Sequence, residues 1–157
     1  MKTTWISDIL EGKHDGQKVE LKGWIKRSRG SNNIRFVVLR DSTGSIQCVA
    51  KKDAVGEECF ENVKSALIES SLIIHGLANP DERADGGYEI IVQDVEIVGP
   101  VNPDTPFPIT ESAMVAADGG ETEFLLDNRH LYLRTTRMTT MLKLRSSVFG
   151  AIHSYFR

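Results

Sequence analysis

The chain begins with a short helical pattern of apolar residues, after which apolar and polar residues alternate. Apolar residues at helical spacing predict a helix over residues 5–11. Alternation then predicts a half-buried strand over residues 18–27, in which Gly23 indicates a bulge or a bend. Two further strands, over residues 34–40 and 45–50, are rich in β-branched residues. These three strands, joined by short connections, form a predicted antiparallel meander.

The period changes to that of a helix after the third strand. Residues 53–68 place six apolar side chains on one helical stripe, namely Val55, Cys59, Phe60, Val63, Ala66 and Leu67. Strand patterns return over residues 71–77 and 88–98, on either side of a loop that contains Gly86 and Gly87. The order β-β-β-α-β-β predicts a five-stranded OB-fold barrel over residues 1–100, a fold that binds oligonucleotides.

The sequence changes character after the predicted barrel. Four of the five prolines lie within residues 99–108, which predicts a semi-rigid linker over residues 101–123. Residues 124–157 then begin a second domain with a mixed stretch and a predicted helix. One face of this helix carries Met138, Met141, Leu142, Arg145, Val148, Phe149, Ile152, Tyr155 and Phe156. Because no glycine caps that helix, we expect the chain to have been cut at Arg157.

Charge is distributed unevenly along the 157 residues, although the net charge is only −3. Residues 18–40 contain seven basic side chains and one acidic, and residues 129–157 contain six basic and none acidic. Residues 53–96 between them contain eleven acidic side chains and two basic. Each basic block suits contact with phosphates, and each is equally compatible with a solvated protein face.

Few residues in the sequence could catalyse a reaction. The four histidines are far apart, the two cysteines are too few for a disulfide framework or a zinc site, and no glycine-rich phosphate loop is present. An apolar run long enough to span a membrane and a signal peptide are both absent, so we expect a cytoplasmic protein without a membrane partner.

Aromatic and basic residues on the predicted strands are better candidates for binding. OB folds bind single strands by stacking bases on aromatic side chains in a basic groove. Phe36 and Trp24 could stack in this way, and Gln47 could both donate to and accept from a base edge. The pattern does not decide whether the two aromatic rings face the core instead, since both faces of residues 34–39 are apolar.

Three runs resemble the anticodon-binding region of class IIb aminoacyl-tRNA synthetases. They are V-E-L-K-G-W-I-K-R-S-R…I-R-F-V-V-L-R-D-S-T-G-S-I-Q (Val19–Gln47), P-F-P-I (Pro106–Ile109) and F-L-L-D-N-R-H-L-Y-L-R (Phe124–Arg134). The third run resembles the asparaginyl enzymes, since aspartyl enzymes tend to have Asp where Tyr132 stands. The resemblance implies a part of an ATP-dependent asparagine–tRNA ligase. An aspartyl enzyme, including one that charges both tRNAs, and a free-standing nucleic-acid-binding OB module remain as alternatives.

The resemblance also implies roles for individual residues. Phe36 matches the aromatic residue that stacks on the middle anticodon base, a uridine, and Gln47 matches the reader of its edge. Glu89 matches the glutamate at the first anticodon base, a guanine, and Arg29 matches an arginine at the anticodon loop. Further candidate contacts with the asparagine-specific tRNA are Trp24, Lys26, Arg27 and Arg35.

The last helix resembles the first motif of the class II α+β catalytic domain, which forms a homodimer interface in this family. Its candidate interface residues are Met141, Leu142, Arg145, Phe149 and Ile152. The later sequence motifs of the family, which hold ATP and Mg²⁺, do not occur in this sequence. We therefore expect this segment to bind tRNA, to hold no cofactor or metal, and to be inactive on its own.

Overall fold

The computed structural model describes residues 4–109 and 122–157. The chain divides into two compact units, one ending at Phe107 and the next beginning at Pro108. The first unit contains, in chain order, α1 (Ile6–Leu10), β1 (Lys18–Gly30), β2 (Ile34–Arg40), β3 (Ser45–Lys51), α2 (Lys52–Val55), α3 (Glu57–Ser65), β4 (Ser71–Pro80) and β5 (Tyr88–Gly99). The described part of the second contains α4 (Thr122–Asp127), α5 (Arg129–Tyr132) and α6 (Thr136–Tyr155).

The five strands form a closed barrel in the order β1-β2-β3-β5-β4. Neighbouring strands are antiparallel except for β3 and β5, which are parallel. Between these two strands the chain passes through α2, α3 and β4. The 13 residues of β1 pair first with β4 and then with β2, so this one strand closes the barrel. The predicted OB fold and its β-β-β-α-β-β order are confirmed.

Alternate residues of each strand fill the barrel. The inward side chains are almost fully buried and include Val19, Leu21, Ile25, Val37, Leu39, Ile46, Cys48, Leu72, Ile74 and Ile90. Among them, Cys48 is enclosed so completely that burial raises the pKa of its thiol to about 12. This thiol is therefore a small apolar core residue rather than a reactive group.

Strand β1 is longer than predicted, and its bulge lies elsewhere. The register with β2 shifts between Ile25 and Arg27, so Lys26 is the extra residue, whereas Gly23 pairs regularly with Leu72. A Cβ atom at Gly23 would lie 2.3 Å from the carbonyl oxygen of Arg40. The glycine is needed for this close approach of two backbones. Of the two alternatives predicted at its position, a bulge or a bend, the bulge is wrong.

Helix α1 is attached to the turn between β2 and β3. The carboxylate of Asp41 accepts hydrogen bonds from the backbone N–H of Ile6 at 3.0 Å and of Gly44 at 2.9 Å. Ile6 and Ile9 on the inner side of the helix are fully buried. The turn thus caps the first turn of α1 and fixes the helix on the barrel.

The predicted helix over residues 53–68 is two helices. Gly56, with φ of +81°, separates α2 from α3, and α3 ends at Ser65. The predicted apolar stripe is nevertheless correct in its centre, since Phe60 and Val63 are almost fully buried. A glycine in the left-handed region ends the first helix without moving the stripe of the second.

The second unit ends in the 20-residue helix α6. Its first turn is capped by Thr135, whose hydroxyl oxygen accepts a hydrogen bond from the N–H of Met138 at 3.4 Å. None of its side chains is buried, although the helix carries many large apolar residues. No helix within residues 4–109 or 122–157 combines the length and apolar composition needed to cross a membrane. Part of the predicted linker, residues 110–121, lies outside the described residues.

Candidate nucleic-acid interface

A row of outward-facing side chains, three of them polar, crosses four strands of the barrel. Strand register places Arg27 of β1 opposite Val38 of β2, Val38 opposite Gln47 of β3, and Gln47 beside Glu89 of β5. Neighbouring strands lie about 4.8 Å apart, so Gln47 and Glu89 are close enough to contact adjacent groups of one ligand. Residues 42 positions apart in the chain are therefore brought together by the parallel pairing of β3 and β5.

A second row contains the aromatic residue Phe36. It lies opposite Arg29 on one side and Val49 on the other, and its ring centroid is 5.7 Å from the Cζ atom of Arg29. The ring is half-buried, whereas the next residue, Val37, is only 2% exposed. Phe36 thus belongs to the outer face, and the alternative that its ring is part of the core is wrong. The nearby guanidinium adds a cation–π contact.

The carboxylate of Glu89 has a partner on the next strand. Asn79 of β4 pairs with Glu89 in the register, and its side-chain amide donates a hydrogen bond to Oε1 of Glu89 at 3.4 Å. The second carboxylate oxygen is not engaged by this bond. Sequence reasoning did not single out Asn79, because only the pairing of β4 with β5 brings it next to Glu89.

Trp24 also lies on the outer face. It is 45% exposed and pairs with Arg40 of β2, whose Cζ atom is 5.6 Å from the centroid of the indole. The guanidinium of Arg40 in turn donates to both carboxylate oxygens of Glu69, at 2.8 and 2.6 Å. The alternative that Trp24 is a core residue is wrong, and Glu69 is a partner that the sequence pattern did not reveal.

Not all of the predicted candidates reach this face. The guanidinium of Arg35 donates to the backbone carbonyl oxygen of Lys64, near the end of α3, at 3.1 Å. Arg35 is thereby engaged in fixing α3, which separates it from Arg27 and Arg29. Lys26 is half-buried at the bulge of β1.

The outer face is suited to binding rather than to catalysis. Arg27 and Arg29 supply positive charge for phosphates, Phe36 supplies a stacking surface, and Gln47 and Glu89 supply donors and acceptors. Within the described parts of the chain, no three His, Cys, Asp or Glu residues are grouped so that they could hold a metal ion.

Fold and outer face together define a nucleic-acid-binding protein of the OB class. The model of a tRNA anti-codon family, described as an OB-fold nucleic acid binding domain, matches residues 19–98. The chain belongs to this family.

The chain is similar to asparagine–tRNA ligases. It is 40% identical over 151 residues to asparagine–tRNA ligase of Thermoplasma acidophilum, covering 96% of this chain and 33% of the relative. Among solved structures, asparaginyl-tRNA synthetase from Pyrococcus horikoshii, complexed with asparaginyl-adenylate, superposes with a TM-score of 0.85 at 34% identity. That match covers 99% of this chain and 34% of the other. The chain thus spans about a third of the length of these relatives.

The fold is shared more widely. Aspartyl-tRNA synthetase from Entamoeba histolytica has a TM-score of 0.78 at 19% identity, over 99% of this chain and 37% of that one. At this identity the likeness concerns the fold alone.

Proposed function

We propose that this chain is the anticodon-binding part of a cytoplasmic asparagine–tRNA ligase, which attaches asparagine to its tRNA using ATP. The observation that supports this most directly is the placement of Gln47 and Glu89 side by side, next to Phe36, on one outer face. The identities of 40% and 34% to asparaginyl enzymes favour this function over an aspartyl enzyme.

Each residue of the face has a chemical role in this proposal. Phe36 stacks on the middle base, a uridine, and the amide of Gln47 both donates to and accepts from that base's edge. The carboxylate of Glu89 accepts hydrogen bonds from N1–H and N2–H₂ of guanine at the first position. Arg29 and Arg27 neutralise phosphates of the loop and position it, without themselves reading the sequence.

Catalysis belongs to the remaining two thirds of such an enzyme. ATP and Mg²⁺ would be held there, and the present chain alone would not form the adenylate. Residues 101–123 serve as the linker in this proposal, and residues 124–157 begin the catalytic domain. The notable exposure of α6 supports this assignment, since its apolar side chains have no cover within the described part of the second unit.

The middle base of the anticodon tests the proposal. An RNA stem–loop with the anticodon G-U-U should bind the 157-residue chain roughly 5- to 150-fold more tightly than one with G-C-U, because cytosine reverses a donor and an acceptor facing Gln47. Isothermal titration at fixed salt would measure both affinities. Gln47→Ala should reduce this preference, whereas Gln93→Ala, at an exposed glutamine farther along β5, should leave it unchanged. Equal affinity of the wild-type chain for both loops would contradict the proposal.

Helix α6 would contribute to a homodimer of the enzyme. Met141, Leu142, Phe149 and Ile152 are 42 to 56% exposed, and Arg145 covers the ring of Phe149 with its Cζ atom 5.5 Å from the centroid. A contiguous apolar surface of this kind is typical of an interface between proteins.

Self-association through α6 is measurable by sedimentation velocity over a range of protein concentrations. We expect the chain to associate through this face, and the double substitution Leu142→Asp and Phe149→Asp to shift it to monomer. The matched control is Ser147→Asp on the opposite side of the helix, which should leave association unchanged. A wild-type chain that stays monomeric with α6 folded would contradict a role of this face in dimerisation.

A further inference from the structure

We propose that Trp24, oriented by Arg40 and Glu69, is a second stacking site for the bound RNA and takes a base on the 3′ side of the middle anticodon base. This inference rests on the proposed function, in which Glu89 contacts the first base and Phe36 stacks on the middle base. It adds a base contact at a site separate from those residues.

The exposure of Trp24 is the first observation. The indole is 45% exposed, whereas the next residue of β1, Ile25, is fully buried. Nearly half of the surface of this large apolar ring thus remains in water, where it is accessible to a base. Stacking of a base on an aromatic ring contributes substantially to binding of single-stranded RNA.

The second observation is that the indole is held in place. The guanidinium of Arg40 lies over the ring, with its Cζ atom 5.6 Å from the centroid, and is itself fixed by the carboxylate of Glu69 at 2.6 Å. The side chains of Arg40 and Glu69 are only 24% and 9% exposed, so this ion pair is largely shielded from solvent. Glu69 neutralises Arg40, and the arginine therefore orients the indole rather than neutralising a phosphate. A ring oriented in advance loses less entropy when a base stacks on it.

The third observation is the order of the strands that form the proposed RNA-binding face. In the proposed function the first base lies at Glu89 on β5, and the middle base lies at Gln47 on β3 and Phe36 on β2. The next strand in this order is β1, which carries Trp24. Trp24 lies opposite Arg40, four residues along β2 from Phe36, which corresponds to roughly 13 Å. This distance exceeds one stacked step of about 3.4 Å, so the base at Trp24 is a different one from the base at Phe36.

Substitution of both protein and RNA tests the site. Trp24→Ala should weaken binding of the G-U-U stem–loop by about 5- to 150-fold, and Trp24→Phe should restore most of the affinity. The matched control is Trp5→Phe at the other tryptophan, which is 49% exposed and lies outside the sheet. Circular dichroism and thermal unfolding would verify that each variant is folded.

Stem–loops lacking one base then locate the contact. An abasic nucleotide at the third anticodon position or at the position after it should lower the affinity of the wild-type chain, because no base is left to stack on Trp24. The same abasic loop should cost Trp24→Ala no further affinity, because the stacking partner is already missing. In the Trp5→Phe background, fluorescence of Trp24 should be quenched on saturation with RNA.

The outcomes separate this inference from the proposed function. If the wild-type chain prefers G-U-U over G-C-U but folded Trp24→Ala binds with unchanged affinity, the second stacking site is refuted and the proposed function stands. The site would also be refuted if the abasic substitution, at each of the two positions, lowered the affinity of Trp24→Ala as much as it lowers the affinity of the wild-type chain. If the wild-type chain showed no preference for the middle uridine, both the proposed function and the second stacking site would be overturned.

Discussion

Phe36→Ala should weaken binding of the G-U-U stem–loop by about 1–3 kcal/mol, because the middle base loses its stacking partner. The stability of the barrel should fall less than it does for a core residue, since the ring lies on the outer face and is only partly buried. Phe36→Tyr should keep most of the affinity, because the tyrosine ring stacks equally well. Titration calorimetry would give the affinity, and urea unfolding would give the stability of each variant.

The neighbouring core position provides the reciprocal control. Leu39 of β2 is fully buried, so Leu39→Ala should lower the free energy of unfolding by about 2–5 kcal/mol. The fraction that remains folded should bind RNA with nearly the wild-type affinity. If Phe36→Ala instead lost stability and kept its affinity, the ring would be a packing residue and not a stacking surface.

Phe60→Ala should have the largest effect on stability, a loss of about 3–5 kcal/mol in the free energy of unfolding. Phe60 is fully buried on α3, and alanine would leave a cavity of most of a phenyl ring. Both tryptophans, Trp5 and Trp24, lie in the first unit, so tryptophan fluorescence during urea unfolding reports on the barrel and not on the second unit.

Glu61→Ala on the same helix is the matched control for Phe60. It removes a surface ion pair with Lys64, with 3.0 Å between the Nζ and Oε1 atoms, which contributes at most about 1 kcal/mol. Alanine also has the better helix propensity, so the expected change is small. Equal losses for Phe60→Ala and Glu61→Ala would contradict the packing of α3 onto the barrel core.

Periodicity was sufficient to predict the order of elements and therefore the barrel. The first three strands show alternation or β-branched runs, and the stripe around Phe60 and Val63 shows the helical period. The break at Gly56 could not be distinguished from a glycine tolerated within one helix, because a single glycine costs only about 1 kcal/mol there. The length of the helix was consequently overestimated.

The site was predicted only in part, because its geometry depends on pairing between distant strands. Both faces of β2 are apolar in sequence, so only the register shows that Phe36 faces out and Val37 faces in. Asn79 becomes a neighbour of Glu89 through the hairpin of β4 and β5, and Glu69 meets Arg40 across 29 positions of the chain. Arg35 resembles the other arginines of its charge block until the position of α3 is known.

The alternation along β2 and β3 has a consequence for how this family can diversify. Phe36, Val38 and Gln47 lie on the outer face, while Val37, Leu39 and Cys48 of the same two strands fill the interior of the barrel. Substitutions on the outer face therefore change few of the contacts on which folding depends. Selection can thus change what the outer face binds while the interior of the barrel stays the same.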